Sequence, residues 1–287
     1  MTRVALVSHG SPDYLIDIVT DGMIRLLGRE NVHLGYNRTT PDGDHRIPQL
    51  FSGFDAENRF PLEEADCLVI SNRSDFEIAR DYRRRCSRPV ALVDGEDDDA
   101  IRSELTEATL YAKREYHQKR KYSENIVPLP FAAIPEELPS EGPRDLPIFF
   151  RANPTDGFRE LIAEEIRKLG LPMQVQGIAK AEYNRQLSSS LVGVSVRGAG
   201  WDTYRYWETP YFGAALFSQR HPLVIPGDFE DGVEAEFFDD AGDFTRKLKR
   251  LLDDPARTLA LGARGREACR KRHLSVHRAE RLLALLL

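Results

Sequence analysis

The stretch Arg197–Gly213 reads RGAGWDTYRYWETPYFG and follows an apolar run, Leu191–Val196, whose length and β-branched residues are typical of a buried strand. Two glycines spaced by one residue open the stretch and predict a loop after that strand. Asp202 or Thr203 can then serve as an N-cap, so we expect a short helix over residues 203–212 that ends at a glycine. The stretch therefore predicts a strand, a glycine loop and a helix.

The start of this helix suits a phosphate group. Behind a loop that contains Gly198 and Gly200, free N–H groups and the positive end of the helix dipole point outward. Arg205 and Glu208, three residues apart, share one helix face. The arginine can meet a phosphate, and the carboxylate can accept both hydroxyls of a sugar diol. A solvated ion pair is the alternative interpretation, but six aromatic residues crowd the same segment and disfavour it.

Composition indicates a soluble globular chain. Its 287 residues fit two domains, with 30% charged and 41% hydrophobic residues. The net charge of −6 disfavours a general nucleic-acid binder. Three cysteines, widely spaced and odd in number, suggest neither a disulfide framework nor a zinc cluster. Because neither an export signal nor an apolar run long enough to span a membrane is visible, we expect a cytoplasmic location.

Strands and helices alternate along both halves, which predicts α/β architecture with parallel sheets. A strand at Arg3–Ser8, a glycine turn and a helix form the usual opening of a Rossmann-like domain. The polar segment Asn37–Pro61 is expected to be a functional loop, and the proline-rich segment Pro128–Pro147 a linker. Further elements are predicted as strands at Val32–Tyr36, Cys67–Ser71, Pro89–Val93, Leu110–Lys113, Ile148–Arg151, Met173–Gln176, Ala215–Phe217 and Pro222–Ile225, and as helices over Asp75–Arg84, Gly157–Leu169, Ala179–Ser188, Asp243–Leu252, Pro255–Arg272 and Val276–Leu287.

Several segments together resemble a known family. They are RGAGWDTYRYWETPYFGAALF, the later FEDGVEAEFFDD, LLDDPARTLALGARGRE and HLSVHRAERLL within Tyr183–Leu286, and DGEDD, YAKREY and NIVPLPF in the first half. With them the chain resembles group 1 GT-B glycosyltransferases, especially the spore-maturation-protein-like branch. The resemblance implies two Rossmann-like domains facing a cleft: an acceptor-side domain over residues 1–135 and a nucleotide-sugar domain over 136–287. The last helix would pack back on the first domain.

The resemblance also implies binding residues for the donor. In such enzymes the glutamate of an E-x-P/A-x-x-G segment binds the donor ribose, and Glu208 with Gly213 matches that place. Retaining members often carry an acidic residue eight positions earlier; here that position is Gly200, so retaining and inverting stereochemistry both stay open. Arg151, at the end of the first strand of the second half, is the nearest cation for a diphosphate, and Tyr183 is a candidate to stack on the base. The full set of donor-binding candidates is Arg151, Tyr183, Gly198, Gly200, Asp202, Thr203, Arg205 and Glu208.

Candidates for the acceptor proton lie in the first half. They are His9, which can also be an ordinary loop histidine, Asp13 and Asp94. Asp94 directly follows a predicted strand and opens DGEDDDA, whose Asp97 and Asp99 match the DxD spacing of metal-dependent GT-A glycosyltransferases. A solvated helix N-terminus accounts better for this acidic run, although metal binding by Asp97, Asp98 and Asp99 is left open.

The expected activity is transfer of a sugar from a nucleoside-diphosphate sugar, without a metal or another cofactor. The acceptor is unidentified: a cell-surface glycan, a lipid-linked molecule or a small molecule. Cations between residues 246 and 272 suit peripheral association with the inner membrane face, yet a solvated helix face is the safer interpretation. A non-catalytic nucleotide- or glycan-binding protein is the alternative. An epimerase or dehydrogenase is disfavoured because the first turn, SHGSPD, lacks G-x-G-x-x-G.

Overall fold

The computed structural model describes residues 2–9, 13–37, 60–102, 108–136, 142–151, 157–173 and 177–287, with only the backbone given for His9, Tyr36 and Asn37. The chain divides into two compact units. Unit 1 comprises Met1–Phe131 together with Ser275–Leu287, and unit 2 comprises Ala132–Leu274. The sequence places the boundary after residue 135, four residues later than this division.

Unit 1 is built on a six-stranded parallel sheet in the order β2-β1-β3-β4-β5-β6. Its middle strands β3 and β4 are buried along their whole length, as expected for a parallel sheet that is covered on both faces. The elements before the boundary are β1 (Val4–His9), α1 (Tyr14–Leu27), β2 (Val32–Asn37), β3 (Cys67–Ser71), α2 (Phe76–Cys86), β4 (Val90–Asp94), β5 (Leu110–Lys113) and β6 (Ile126–Pro128), with short 3₁₀ turns at Arg29–Asn31 and Leu62–Glu64.

The strand β6 is not predicted from the sequence, because Pro128 ends it and prolines follow closely. Proline is tolerated there because β6 lies at the edge of the sheet, where a missing N–H breaks no internal ladder. Most of the expected functional loop, residues 38–59, and part of the expected linker, residues 137–141, lie outside the described residues.

Unit 2 contains a four-stranded parallel sheet in the order β10-β9-β8-β7. Its core includes Phe217, Phe238 and Phe244, whose exposed fraction is 0% and whose rings contact one another. The elements are β7 (Leu146–Phe149), α3 (Gly157–Lys168), α4 (Lys180–Ser188), β8 (Ser190–Ser195), α5 (Tyr204–Tyr211), β9 (Ala215–Gln219), β10 (Glu236–Phe238), α6 (Ala241–Asp253) and α7 (Pro255–Arg272).

The prediction of a strand at Pro222–Ile225 is wrong. The fourth strand of the sheet is β10, which begins about a dozen residues after Ile225 and pairs with β9. Leu223 and Ile225 are buried, so the apolar run is explained by packing of a loop into the core rather than by a sheet ladder. Most of the strand expected at Met173–Gln176 lies outside the described residues.

The short helix α5 lies very close to strand β8. A Cβ atom added to Gly193 of β8 would be 2.7 Å from Oγ1 and 3.1 Å from Cβ of Thr209. Only glycine therefore allows the backbone of β8 to approach the middle of α5 so closely. Gly213, with φ of +80°, ends the turn after α5 in a conformation that favours glycine. The predicted strand, loop and helix are confirmed in this part of the chain.

The last helix, α8 (Ser275–Leu286), belongs to unit 1 and packs on α1. The Ser275 hydroxyl donates a hydrogen bond to the carboxylate of Asp21 in α1. The guanidinium of Arg278, which is 4% exposed, donates to the carbonyl oxygens of Pro130 at 3.0 Å and Phe131 at 2.8 Å. These buried contacts join the two ends of unit 1. No helix in the described ranges has both the length and the apolar character that crossing a membrane requires.

The contact between α1 and α8 gives a first testable prediction. A Cβ atom at Gly22 would lie 2.7 Å from the carbonyl carbon of Ser275 and 3.0 Å from Cβ of Ala279, so Gly22→Ala must displace α8. We expect the substitution to lower the free energy of unfolding by about 1–3 kcal/mol, as overpacking of a close contact does. Urea unfolding followed by circular dichroism measures this change.

Gly157→Ala is the matched control, because a Cβ atom there has no neighbour within 4 Å and the residue also lies in a helix. It should leave stability unchanged or raise it slightly, since alanine favours a helix over glycine. Equal stability of the Gly22→Ala and Gly157→Ala variants would contradict the close approach of α8 to α1.

Candidate functional site

The candidate site lies at the carboxyl edge of the unit 2 sheet, where β8 ends and α5 begins. Thr203 is the N-cap of α5, but its hydroxyl makes a 2.9 Å hydrogen bond with Ser195 Oγ and does not cap the helix. The buried carboxylate of Asp202 accepts a 2.7 Å hydrogen bond from the indole N–H of Trp207. The predicted side-chain cap is therefore wrong: these two side chains fix the helix to the strand and to its own aromatic core.

The glycine loop is contacted by a cation, Arg159, that the sequence analysis does not identify as a site residue. The N–H of Gly198 donates a 2.8 Å hydrogen bond to the carbonyl oxygen of Gly200, which closes the loop. Arg159 of α3 donates to the carbonyl oxygen of Arg197 at 2.6 Å, and a Cβ atom at Gly198 would lie 2.7 Å from its Nη2. The absence of a side chain at Gly198 thus leaves room for the Arg159 guanidinium against the glycine loop.

Glu208 is the centre of the site. Its side chain is 12% exposed. Oε1 lies 3.0 Å from the Lys180 ammonium, and Oε2 accepts a 2.6 Å hydrogen bond from the Tyr183 hydroxyl. Lys180 and Tyr183 are one turn apart at the start of α4, so they face α5 together. The carboxylate is therefore partly open to solvent and oriented by two hydrogen-bond donors.

Lys180 lies between two carboxylates. Its ammonium is 3.0 Å from Glu208 Oε1 and 3.2 Å from Glu136 Oε1. Burial favours the neutral amine, but the attraction of both carboxylates outweighs it, and the pKa of Lys180 is raised above its usual value. The ammonium thus stays charged at neutral pH.

Glu136 is itself fixed by both helices. Its Oε2 accepts a 2.8 Å hydrogen bond from the amide of Asn184 in α4. The Tyr211 hydroxyl in α5 accepts from the Glu136 N–H at 2.9 Å and donates to its carbonyl oxygen at 2.8 Å. The sequence does not indicate Glu136 or Lys180 as site residues, because their proximity depends on how a loop and two helices pack. The three-residue spacing of Lys180 and Tyr183 is the one signal that could have pointed to this group.

Arg151, Tyr183 and Glu208, three of the predicted donor residues, are brought together. The Arg151 guanidinium carbon lies 5.9 Å from the centre of the Tyr183 ring, and a Cβ atom at Gly177 would lie 3.6 Å from the Arg151 Nη2. The Tyr183 ring is 7% exposed and meets Phe149 edge-on, with 5.0 Å between ring centroids. Tyr183 is thus mainly a packed support for Glu208, and little of its ring is open for a nucleotide base. Arg205 is half-buried one turn before Glu208 on α5.

Two of the predicted acceptor-side residues lie near the carboxyl edge of the unit 1 sheet. His9 ends β1, and its side chain is outside the described atoms. Asp13 is the N-cap of α1: Oδ1 accepts from the N–H groups of Leu15 at 3.1 Å and Ile16 at 3.2 Å, and Ser71 donates to Oδ2. Burial raises the pKa of Asp13, although these hydrogen bonds act in the opposite direction. As described, Asp13 caps a helix, and its side chain is almost inaccessible.

Asp94 is an interior charge. It is 0% exposed, and Oδ2 accepts from Tyr111 at 2.5 Å, from Lys113 at 2.9 Å and from Arg102 at 3.3 Å. Lys113 is also 0% exposed, so the two residues form a fully buried ion pair. This environment leaves Asp94 no surface on which to meet an acceptor hydroxyl, and the geometry indicates a structural role.

The remaining carboxylates of the acidic run are paired with arginines from several segments of unit 1, and Glu96 pairs with Arg73 at 2.9 Å. Asp97 pairs with Arg114, Asp98 with Arg102 at 3.1 Å, and Asp99 with Arg120 at 3.2 Å. The expected helix N-terminus is wrong for residues 95–102, which form bends and irregular backbone. In the part of the chain that the structure describes, no group of three or more histidine, cysteine, aspartate or glutamate side chains is arranged to hold a metal ion.

Comparison with known proteins connects this geometry to a fold. Residues 159–284 match a family described as "Glycosyl transferase-like", which covers less than half of the chain. No protein with curated annotation matches the sequence significantly.

Solved structures match over nearly the whole chain. Anabaena Alr3699/HepE in complex with UDP-glucose has a TM-score of 0.67 at 11% identity, covering 100% of this chain and 99% of that one. A glycosyltransferase from Rickettsia africae ESF-5 has a TM-score of 0.67 at 8% identity, covering 99% and 97%. Sucrose-phosphate synthase from Thermosynechococcus elongatus has a TM-score of 0.58 at 13% identity, covering 99% and 98%. The chain therefore has the GT-B fold, as the sequence predicts.

Proposed function

We propose that this chain is a glycosyltransferase that moves a sugar from a nucleoside-diphosphate sugar to an acceptor hydroxyl. The observation that carries the proposal is the carboxylate of Glu208, held by Lys180 and Tyr183 at the carboxyl edge of a parallel sheet. Ligands of open α/β sheets bind at that edge. The glycosyl transferase-like match over residues 159–284 includes this group, and the Anabaena neighbour binds UDP-glucose, so uridine is the first base to test.

The proposed donor interaction follows from hydrogen-bonding capacity. An ionised carboxylate accepts two hydroxyl donors, so Glu208 binds the 2′- and 3′-hydroxyls of the ribose. Lys180 and Tyr183 each donate to one of its two oxygens, and each oxygen has a further lone pair with which it can accept a ribose hydroxyl.

The reaction breaks the bond between the anomeric carbon and the diphosphate oxygen. The departing nucleoside diphosphate gains negative charge, which preorganised cations and N–H groups stabilise. Arg151, Arg159, Arg205 and Lys180 are the candidate cations, together with the start of α5. The acceptor oxygen forms the new bond to the anomeric carbon, and its proton passes to a general base, for which His9 is the first candidate because Asp13 and Asp94 are buried. We propose that these charges stabilise the leaving group without a metal ion or another cofactor.

The acceptor class is proposed only broadly, as a cell-surface glycan, a lipid-linked molecule or a small molecule in polysaccharide biosynthesis. We assign the chain to the spore-maturation-protein-like branch on its sequence motifs, and expect a cytoplasmic enzyme that can associate with the inner membrane face. Stereochemistry stays open because Gly200 replaces the acidic residue found in many retaining enzymes.

A ligand screen with a turnover assay tests the proposal. We expect UDP, GDP or TDP, and the matching sugar nucleotide, to raise the melting temperature, since a ligand at about 100 times its Kd stabilises by about 2.7 kcal/mol. The matching sugar nucleotide should also release nucleoside diphosphate slowly in water. A thermal shift without any release would favour a non-catalytic binding protein, whereas no shift with any nucleotide would contradict the proposed donor class.

A further inference from the structure

A concave surface lies in unit 2, beyond the C-terminal end of α5. It is a cavity of about 810 Å³ between the end of α4, the turn after α5 and the length of α7 from Leu259 to Lys271. A volume of this size falls in the range of about 300–1,000 Å³ that is usual for small-molecule sites. Its charged lining side chains are Arg144, Arg185, Arg266, Arg270, Lys271 and Glu267.

The cavity lies at the amino edge of the unit 2 sheet. Arg144 comes two residues before β7 begins, and Ser188 and Ser189 come directly before β8 begins. The strands are parallel, so all their amino ends lie at one edge and their carboxyl ends at the other. Glu208 belongs to the carboxyl edge, and the cavity is therefore a separate site.

The lining is strongly basic, with five cationic side chains against one carboxylate. Two of the five cations have partners within the protein. Arg144 donates to the carbonyl oxygens of Ser190 at 2.7 Å and Phe212 at 2.8 Å, and Arg185 pairs with Glu182 at 2.6 Å. Arg270 and Lys271, on the last turn of α7, are exposed. Neither has an ion-pair partner within 4.0 Å among the described residues. Their charge is thus available to a ligand.

Concave shape increases the effect of this charge. Cations gathered on the walls of a cleft focus the electrostatic field and concentrate anions there. Phosphate groups fit such a site best, because several guanidinium and ammonium donors can share their oxygens. Phe212 and Leu259, whose side chain is 47% exposed, add apolar surface to the same cavity. The lining therefore suits an anion that carries both phosphate and some apolar area.

We propose that this cavity binds a phosphate-bearing anion, with Arg270 and Lys271 as its main contacts. The same chemistry is presented by a soluble phosphorylated molecule and by the headgroup of an anionic phospholipid. The site is independent of the proposed donor site, so its existence does not rest on the glycosyltransferase proposal.

The test compares two charge reversals on one helix. The variant with Arg270→Glu and Lys271→Glu removes the proposed contacts, while Arg257→Glu reverses an exposed cation at the opposite end of α7, outside the cavity lining. A variant with Arg270→Gln and Lys271→Gln repeats the test with no negative charge added near the helix C-terminus. Circular dichroism and thermal unfolding confirm that each variant is folded.

Two probes distinguish the sources of phosphate. Inorganic pyrophosphate is titrated calorimetrically at fixed ionic strength, and cosedimentation is measured with vesicles of phosphatidylcholine with and without phosphatidylglycerol. We expect the double variants to lose about tenfold or more in affinity for at least one probe, and Arg257→Glu to match the wild type. Loss with pyrophosphate identifies a soluble ligand as sufficient, and loss confined to phosphatidylglycerol vesicles identifies a headgroup. The proposal is overturned if the wild type binds neither probe, or if the double variants and Arg257→Glu bind alike.

Discussion

Glu208→Ala is expected to weaken binding of the best nucleoside diphosphate by about 2–3 kcal/mol, roughly 30- to 150-fold, because two hydrogen bonds from ribose hydroxyls to a charged acceptor are lost. Isothermal calorimetry with UDP, GDP or TDP measures the change. Glu208→Gln should lie between the wild type and the alanine variant, since an amide oxygen can still accept a hydrogen bond but carries no charge.

The fold should survive this substitution. Lys180 keeps Glu136 as a partner at 3.2 Å, so no buried charge is left without a counter-charge. Glu164→Ala is the matched control, because Glu164 is exposed on α3 and pairs only with Lys168 on the same helix, at 3.3 Å, within the described residues. If Glu208→Ala binds nucleotide as tightly as Glu164→Ala does, the assignment of the donor ribose to Glu208 is wrong.

The largest effect on stability is expected in unit 1. Asp94→Ala should lower the free energy of unfolding by about 3–5 kcal/mol, because it leaves the Lys113 ammonium buried without its nearest counter-charge. Urea unfolding monitored by far-ultraviolet circular dichroism measures this loss. The double variant Asp94→Leu with Lys113→Met should recover much of the stability, since a buried ion pair and a packed apolar pair of similar volume are often close in energy.

Asp98→Ala is the control for this experiment. Asp98 pairs with Arg102 in the same acidic run, but its side chain is 53% exposed, so the change should stay below about 1 kcal/mol. Asp94 was also a candidate for the acceptor proton, and the same variants separate the two roles. A large loss of turnover with unchanged unfolding would favour the catalytic role and contradict the structural one.

The local order of elements around Glu208 could be predicted from sequence, because it depends on short-range signals. The β-branched run at Leu191–Val196, the two glycines and the closing Gly213 each act within a few residues. The partners of Glu208 could not be predicted in this way. Lys180 lies 28 residues away, and Glu136 precedes a strand that is itself separated from α5 by two helices.

Apolar runs show the same limit. The pattern at Pro222–Ile225 satisfies the sequence criteria for a strand, yet these residues belong to a loop that buries Leu223 and Ile225. The edge strand is β10, which has only three residues, one of them acidic. In the acidic run, sequence alone suggests a solvated helix start or a metal site. The structure pairs Asp98 with Arg102, four residues away, but it pairs Asp97 with Arg114 and Asp99 with Arg120, and pairing at that distance has no local signal.

The packing of α8 on α1 has a consequence for the order in which the protein folds during synthesis. Unit 2 is one continuous segment, whereas unit 1 needs residues 275–287, which leave the ribosome only after all of unit 2. At about 5–20 residues per second, that interval is on the order of 10 s. Throughout it, Gly22 and the surface of α1 against which α8 packs are uncovered, so the nascent first unit exposes an apolar surface of the kind that chaperones bind. Unit 1 therefore cannot complete its fold until unit 2 has been synthesised, although most of unit 1 is made first.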